Sequence, residues 1–383
     1  MSLKDYIDSS SFEITAFAGL ANSSSRLVDI EKNKFGDLNN YQLAIIGVPE
    51  DRESLNKGTS QAPSFIREEL YKLYKPSDKV KIIDLGNVKA GNHPSDTAYA
   101  LAEIVSILHQ HKIVPIIIGG AKNLIYGNYM AYHQKKRMVN MLSIEPRIEL
   151  TLSNDNYLTE TYIRKIVLQD NCSLFNFTNL GYQSYYTPVE EIELMNRMNF
   201  DFFRLGLVRS NISQTEPLIR DSDIVSIDIS SIKQSDAPGH YNSSPNGLYS
   251  EEICQIARYA GISDRLSSFG IYDYNPTFDI NKQTAKLAAQ IIWFFIEGFL
   301  HRKNEYPTQS IDYCKKFIVN IDSISEELVF YKSPKTERWW VEIPMPNTKS
   351  EDPFIISCSY EDYRKACGQE IPEKWLRYFQ KIN

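Results

Sequence analysis

The chain is poor in the features that secreted, membrane and nucleic-acid-binding proteins depend on. Its 383 residues hold five cysteines, Cys172, Cys254, Cys314, Cys358 and Cys367, an odd number without a Cys-x-x-Cys pair. That argues against a disulfide frame or a cysteine zinc site and predicts reduced thiols in a cytoplasm. The most apolar stretches, Ile113–Ile118 and Ile291–Leu300, are too short to span a bilayer. The segment Met1-Ser-Leu-Lys-Asp-Tyr6 has an early acid and no apolar core, so it does not read as a signal peptide. Positive charge is not in excess. The net charge of −6 argues against nucleic acid or an anionic membrane as partner. Histidine is also sparse: His93, His109, His111, His133, His240 and His301 never stand beside acids at a metal-binding spacing. Only His240, after Ala237-Pro-Gly239, falls near a candidate pocket.

What is present is an ordinary soluble profile, 42% hydrophobic and 23% charged, with length for a large core. Apolar runs at Gln42–Gly47, Lys81–Leu85, Ile113–Ile118, Met138–Ile144, Ser173–Phe177, Phe202–Leu205, Ile224–Ile227 and Leu266–Ile271 predict strands. Between them lie helical patterns opening at Pro63 and at Ser95 or Asp96, and others at Val189–Met198, Ser250–Ala260 and Lys282–Leu300. The alternation predicts a three-layer α/β/α fold around a mostly parallel sheet of about eight strands. Residues 1–40 read as an N-terminal segment and 41–302 as the α/β domain. Residues 303–383 read as a Trp- and Pro-rich extension, irregular and packed on the core, with Trp339-Trp340 as its anchor.

Ligands in such sheets bind beyond the carboxyl ends of the strands. Three strand ends carry polar residues: Ile118-Gly-Gly-Ala-Lys122, Ile144-Glu-Pro-Arg-Ile-Glu149, and Ser226-Ile-Asp-Ile-Ser-Ser-Ile-Lys233 with Ala237-Pro-Gly239 downstream. Ile46-Gly-Val-Pro-Glu-Asp51, Asn56-Lys-Gly58, Ala62-Pro63, Asn246-Gly247-Leu248 and Asp273-Tyr-Asn-Pro276 follow the same order as landmarks of one family. The chain resembles the ureohydrolases (arginase, agmatinase and formimidoylglutamase) over roughly 40–300, with spacing nearest to formimidoylglutamase-like proteins.

The resemblance implies an arginase-like fold, a homo-oligomer, and two manganese ions about 3.5–4 Å apart that activate a water against a guanidinium-type carbon. Carried over position by position, it places the six metal ligands at Lys122, Glu145, Arg147, Glu149, Asp228 and Ser230. Only Asp228 keeps the family's residue. Lys122 and Arg147 stand where the family has histidines, and Ser230 where it has a carboxylate. Asp273 stands where the family holds a carboxylate near the substrate, and Lys233 replaces a further acid. With Asn56 and His240, these two complete the pocket candidates.

Lysine and arginine offer no lone pair at neutral pH and repel a dication. No metal cofactor is therefore expected; if one binds, Glu145, Glu149 and Asp228 are its ligands. The six places sum to −1, which Lys233 would cancel. On an extended stretch Glu145, Arg147 and Glu149 share a face, so the guanidinium would bridge both carboxylates. Three functional readings follow. The chain is a pseudoenzyme whose ion pairs replace the metals, or a hydrolase of linear amidine C–N bonds with an altered site. In the hydrolase reading, a Lys122 whose pKa is lowered by burial serves as the base. The third reading is a non-catalytic binder of a small cationic or zwitterionic ligand.

Overall fold

Alternating apolar side chains dictate the central layer. In β2 (Leu43–Val48), Leu43 and Ile45 join one buried cluster while Ala44, Ile46 and Val48 join another. In β4 (Val114–Gly119), Ile116 and Ile118 face the first cluster and Ile117 the second. A strand buried on both faces must sit inside a sheet covered by helices on both sides. The computed structural model, which describes residues 3–8, 38–150, 161–305, 311, 313–345 and 354–382, has this arrangement. Its sheet comprises β1 (Ile7–Asp8), β2, β3 (Ile82–Val88), β4, β5 (Val139–Ile144), β6 (Leu174–Tyr182), β7 (Asp201–Arg204), β8 (Ile224–Asp228) and β9 (Ser268–Tyr272). The spatial order is β1-β3-β2-β4-β9-β8-β5-β6-β7. All neighbours run parallel except β1, which pairs antiparallel with β3 through Ile7 and Val88.

The eight parallel strands are those predicted from the apolar runs. The ninth, β1, has two residues, too few to show any periodicity. Helices Ala62–Leu70, Ser250–Ile262 and Gln283–Phe299 cover one face through Ile66, Ile256 and Phe295. Helices Pro94–Gln110, Ile125–His133 and Tyr162–Val167 cover the other through Leu101, Tyr129 and Ile163. The fold is therefore three-layer α/β/α with a nine-stranded, mostly parallel sheet. Among the described residues, no helix is long and apolar enough to cross a membrane.

The C-terminal extension departs from its predicted irregular character. It builds a four-stranded antiparallel sheet, β10 (Lys315–Asn320), β11 (Glu327–Lys332), β12 (Trp339–Ile343) and β13 (Phe354–Cys358), followed by helices Tyr360–Cys367 and Glu373–Ile382. Of the prolines that suggested irregularity, Pro334 and Pro344 lie between strands and Pro372 before a helix, where no strand hydrogen bond is asked of them, while Pro346 and Pro353 lie outside the described residues. The tryptophan pair alternates, as adjacent strand residues must. Trp339 stacks on Tyr363 inside the extension's own core, and Arg220 of the main domain lies over the ring of Trp340.

Docking of the extension is polar and buried. Lys374 Nζ donates to Asp221 Oδ2 at 2.7 Å, and Asp221 also accepts the Ser357 N–H at 3.0 Å. Both side chains are almost fully buried. Removing one partner of a buried pair strands the other charge. Lys374→Met is expected to destabilise the protein by about 3 kcal/mol in denaturant unfolding. Adding Asp221→Asn should cost less than the sum of the two single changes, and strict additivity would refute the pairing.

Candidate functional site

The strand order brings β4, β9, β8 and β5 together at the middle of the sheet, and each delivers a charged residue at its carboxyl end. Lys122 follows β4, Asp273 follows β9, Asp228 ends β8, and Glu145 follows β5 with Glu149 beyond it. The two glycines after Ile118 permit the approach. A Cβ on Gly119 would lie 2.3 Å from the Tyr272 ring, and one on Gly120 would lie 2.1 Å from the Glu50 carbonyl oxygen. Asp273 adopts a left-handed backbone, φ 63°, tolerated by Asp better than by most residues. Its N–H donates to the Gly120 carbonyl at 2.8 Å, and its own carbonyl accepts from Asn56 Nδ2 at 2.9 Å. Asn56 is in turn held by Asn275 Nδ2 at 2.8 Å. Asn56 thus lines the cavity and braces the turn that aims Asp273.

Lys122 is the electrostatic centre. Its ammonium stands 2.9 Å from Glu149 Oε2, 3.6 Å from Glu145 Oε2 and 3.8 Å from Asp228 Oδ2. Its backbone N–H donates to Asp273 Oδ1 at 3.0 Å. Burial pulls its pKa down, but Glu149, Glu145, Asp228 and Asp273 outweigh burial and hold it well above the ordinary lysine value. The expected lowering of the Lys122 pKa by burial is thus reversed, and a lysine held in its charged form is a poor general base. Lys122 in turn holds the Glu149 carboxyl below its usual range. Burial pushes Glu145 up to about 7, against the pull of Lys122 and of the Tyr162 hydroxyl, which donates to Glu145 Oε1 at 2.6 Å. Burial, then the Asp228 carboxylate, pushes Asp273 up to about 8. Ser230 donates its N–H to Asp228 Oδ1 at 2.7 Å.

Two expected partners are elsewhere. Arg147 does not bridge Glu145 and Glu149; its guanidinium lies over the Tyr186 ring, 4.6 Å from its centre. After β5 the chain leaves regular extension, so the two-residue periodicity that placed all three side chains together lapses. Lys233 does not neutralise the cluster either. Its ammonium sits over Tyr249, 4.9 Å from the ring centre, and Lys233 does not line the cavity. Glu149, Asp228, Asp273 and, nearer the rim, Glu53 thus share one cavity of about 230 Å³ with two cations, Lys122 and Arg147, while Glu145 meets Lys122 without lining it.

The chain order also hid a grouping. Asp228, His240 and Asp273, all buried, bring ligand atoms within 4.8 Å of one another. The three are far apart in sequence, so no spacing rule joins them. Burial lowers the His240 pKa, leaving a neutral ring whose Nδ1 accepts the Asn242 N–H at 3.0 Å. The ring proton is therefore on Nε2, which acts as a donor. Tyr162 and Tyr186 were missed as well. Nothing in a single sequence marks a tyrosine at the start of a helix as the partner of an acid.

Comparison with known proteins follows the same frame. Residues 41–297 match the Arginase family. A formimidoylglutamase of Staphylococcus haemolyticus is 26% identical over 285 residues, covering 69% of this chain and 90% of that protein. Among solved structures, the formimidoylglutamase of Bacillus subtilis superposes with a TM-score of 0.64 at 21% identity, covering 72% of this chain and 91% of the other. A manganese-bound formiminoglutamase of Trypanosoma cruzi gives a TM-score of 0.64 at 17% identity, covering 70% and 97%. With the family match spanning more than half of its length and a sheet whose central strand ends converge on one carboxylate cluster, the chain belongs to the arginase family.

Proposed function

We propose that this chain keeps the frame of a linear-amidine hydrolase without its two-manganese centre, and that its cavity receives a small organic cation. The observation that carries the reading is the Lys122 ammonium, held among Glu149, Glu145 and Asp228 at 2.9–3.8 Å. A fixed cation at that point repels a dication and occupies the carboxylates that would ligate it. Arg147 adds no donor, Ser230 offers only a neutral hydroxyl, and the Nδ1 lone pair of His240 is engaged by the Asn242 N–H. The donor set therefore does not fit two manganese ions.

Charge favours an organic cation instead. The lining acids Glu53, Glu149, Asp228 and Asp273, with Glu145 beside Lys122, set five carboxylates against Lys122 and Arg147, an excess of three negative charges when all are ionised. Glu145 and Asp273 reduce that excess by holding their protons toward neutral pH. A guanidinium or amidinium is a planar fork that pairs with two carboxylates at once. A second reading, a hydrolase using one divalent ion, is favoured by the convergence of Asp228, His240 and Asp273. It requires His240 to give up its Asn242 contact and bind through Nδ1, or to exchange tautomers and bind through Nε2.

Three measurements test the proposal. Protein exposed to manganese and then desalted is expected to retain well under one ion per chain; two tightly held ions would overturn the reading. A panel of guanidino and formimino compounds is expected to release no urea, ammonia or formamide above background. Release that disappears on Asp228→Asn would establish the hydrolase reading instead. Finally, Lys122→Met leaves three carboxylates without their shared cation. Because Lys122 lowers the folded pKa of Glu149, their pairing stabilises the fold above the usual carboxylate range and fades as pH falls through the folded value. The variant should lose more thermal stability at about pH 7 than at about pH 3. An equal loss at both would mean that Lys122 acts by packing alone.

A further inference from the structure

A second cavity, of about 210 Å³, lies beside the one around Lys122 and is walled by helices Pro94–Gln110 and Ile125–His133. The two helices touch at Gly127, where a Cβ would stand 2.7 Å from the Ala98 carbonyl oxygen. Contact between backbones leaves the larger side chains to flank the seam. Ala98 and Tyr99 from one helix and Tyr126 and Met130 from the other line the cavity, with the buried Leu124. Tyr99 is 51% exposed, a large ring left facing solvent. Met130 is held by Gln169, whose Nε2 donates to its sulfur at 3.5 Å. Tyrosine rings and a methionine sulfur both pack well against an aromatic ring.

The polar part of this lining is rich in acceptors. Glu50 is already engaged: its carboxylate accepts from Arg52 Nε at 2.9 Å and from Thr97 Oγ1 at 3.0 Å. Glu53 is exposed, and among the described residues its carboxylate accepts only from Asn123 Nδ2, at 3.3 Å. Asn123 Oδ1 is buried and has no hydrogen-bond partner among the described residues. A buried acceptor left unpaired is costly, so a donor is called for there. Glu53 and Asn123 line both cavities and form the wall between them. Lys165 is the one cation among the described lining residues, and its ammonium stands over the Tyr126 ring, 5.8 Å from the centre.

We propose that this second cavity is a binding site for an arylalkylamine. An ammonium has three donors and no acceptor, which suits Asn123 Oδ1 and the Glu53 carboxylate together. The aryl ring takes the apolar space among Tyr99, Tyr126 and Met130. A carboxylate of the same shape would meet Glu53 as a like charge and find no donor at Asn123 Oδ1. No bond is made or broken in the binding. The site does not rest on the reading of the cavity around Lys122, whose acids belong to other strand ends.

The test uses 2-(4-iodophenyl)ethylamine and 3-(4-iodophenyl)propionate with the full chain. Calorimetric titration is expected to favour the amine by about tenfold or more. Ala98→Phe, which fills the cavity, should abolish amine binding. Tyr99→Ala, at an exposed position whose truncation leaves the core intact, should weaken it by about threefold or more. Glu53→Gln should reduce the preference for the amine to about threefold or less. In crystals soaked with the amine, the anomalous signal of iodine is expected between the two helices. Iodine found only in the cavity around Lys122 would overturn the second site while leaving the reading of that cavity standing. Equal affinity for amine and carboxylate, affinity unchanged by Tyr99→Ala, or no binding of the amine at millimolar concentration would each refute the proposal.

Discussion

Buried carboxylates cannot all remain ionised without positive charge among them. That constraint organises the site of this protein. Four strand ends converge at the middle of the sheet, and each contributes an acid or the one lysine that answers them. Lys122 meets the constraint for Glu149 almost completely, as their opposite pKa displacements indicate. It meets the constraint only in part for Glu145 and Asp273, whose carboxyls are pushed up to about 7 and about 8. Part of the acid in this cluster is thus held in its protonated form near neutral pH.

The fold was legible in the sequence because burial writes a simple code. Runs such as Ile116-Ile-Ile118 face apolar layers on both sides, so their composition alone marks an inner parallel strand. The two-residue β1 left no such mark. The C-terminal sheet was misread because its prolines drew more weight than the alternation through Phe330, Trp339 and Val341. In such a half-buried antiparallel sheet the pattern is short and easily masked by loops.

The site was legible in its members and not in its pairings. Lys122, Glu149, Asp228, Ser230, Asn56, His240 and Asp273 do line one cavity, with Glu145 against Lys122 beside it. Which cation meets which acid depends on side-chain reach beyond the strand ends, where the period of two no longer governs direction. Arg147 therefore turned to Tyr186 and Lys233 to Tyr249, each choosing an aromatic face over a carboxylate. Tyr162 entered through a contact with Glu145 that only the folded chain creates.

The bracing of this site runs largely through backbone atoms and glycines. Gly119 and Gly120 admit the neighbouring turn, Asn56 holds the Asp273 carbonyl, and the Lys122 N–H rests on Asp273 whatever chain follows its Cα. Such contacts survive replacement of nearly every charged side chain they position. Inheritance of the scaffold is thereby uncoupled from inheritance of the reaction. Lineages built on this frame can exchange one chemistry for another without passing through an unfolded ancestor, and likeness between their sequences measures descent more faithfully than it measures catalysis.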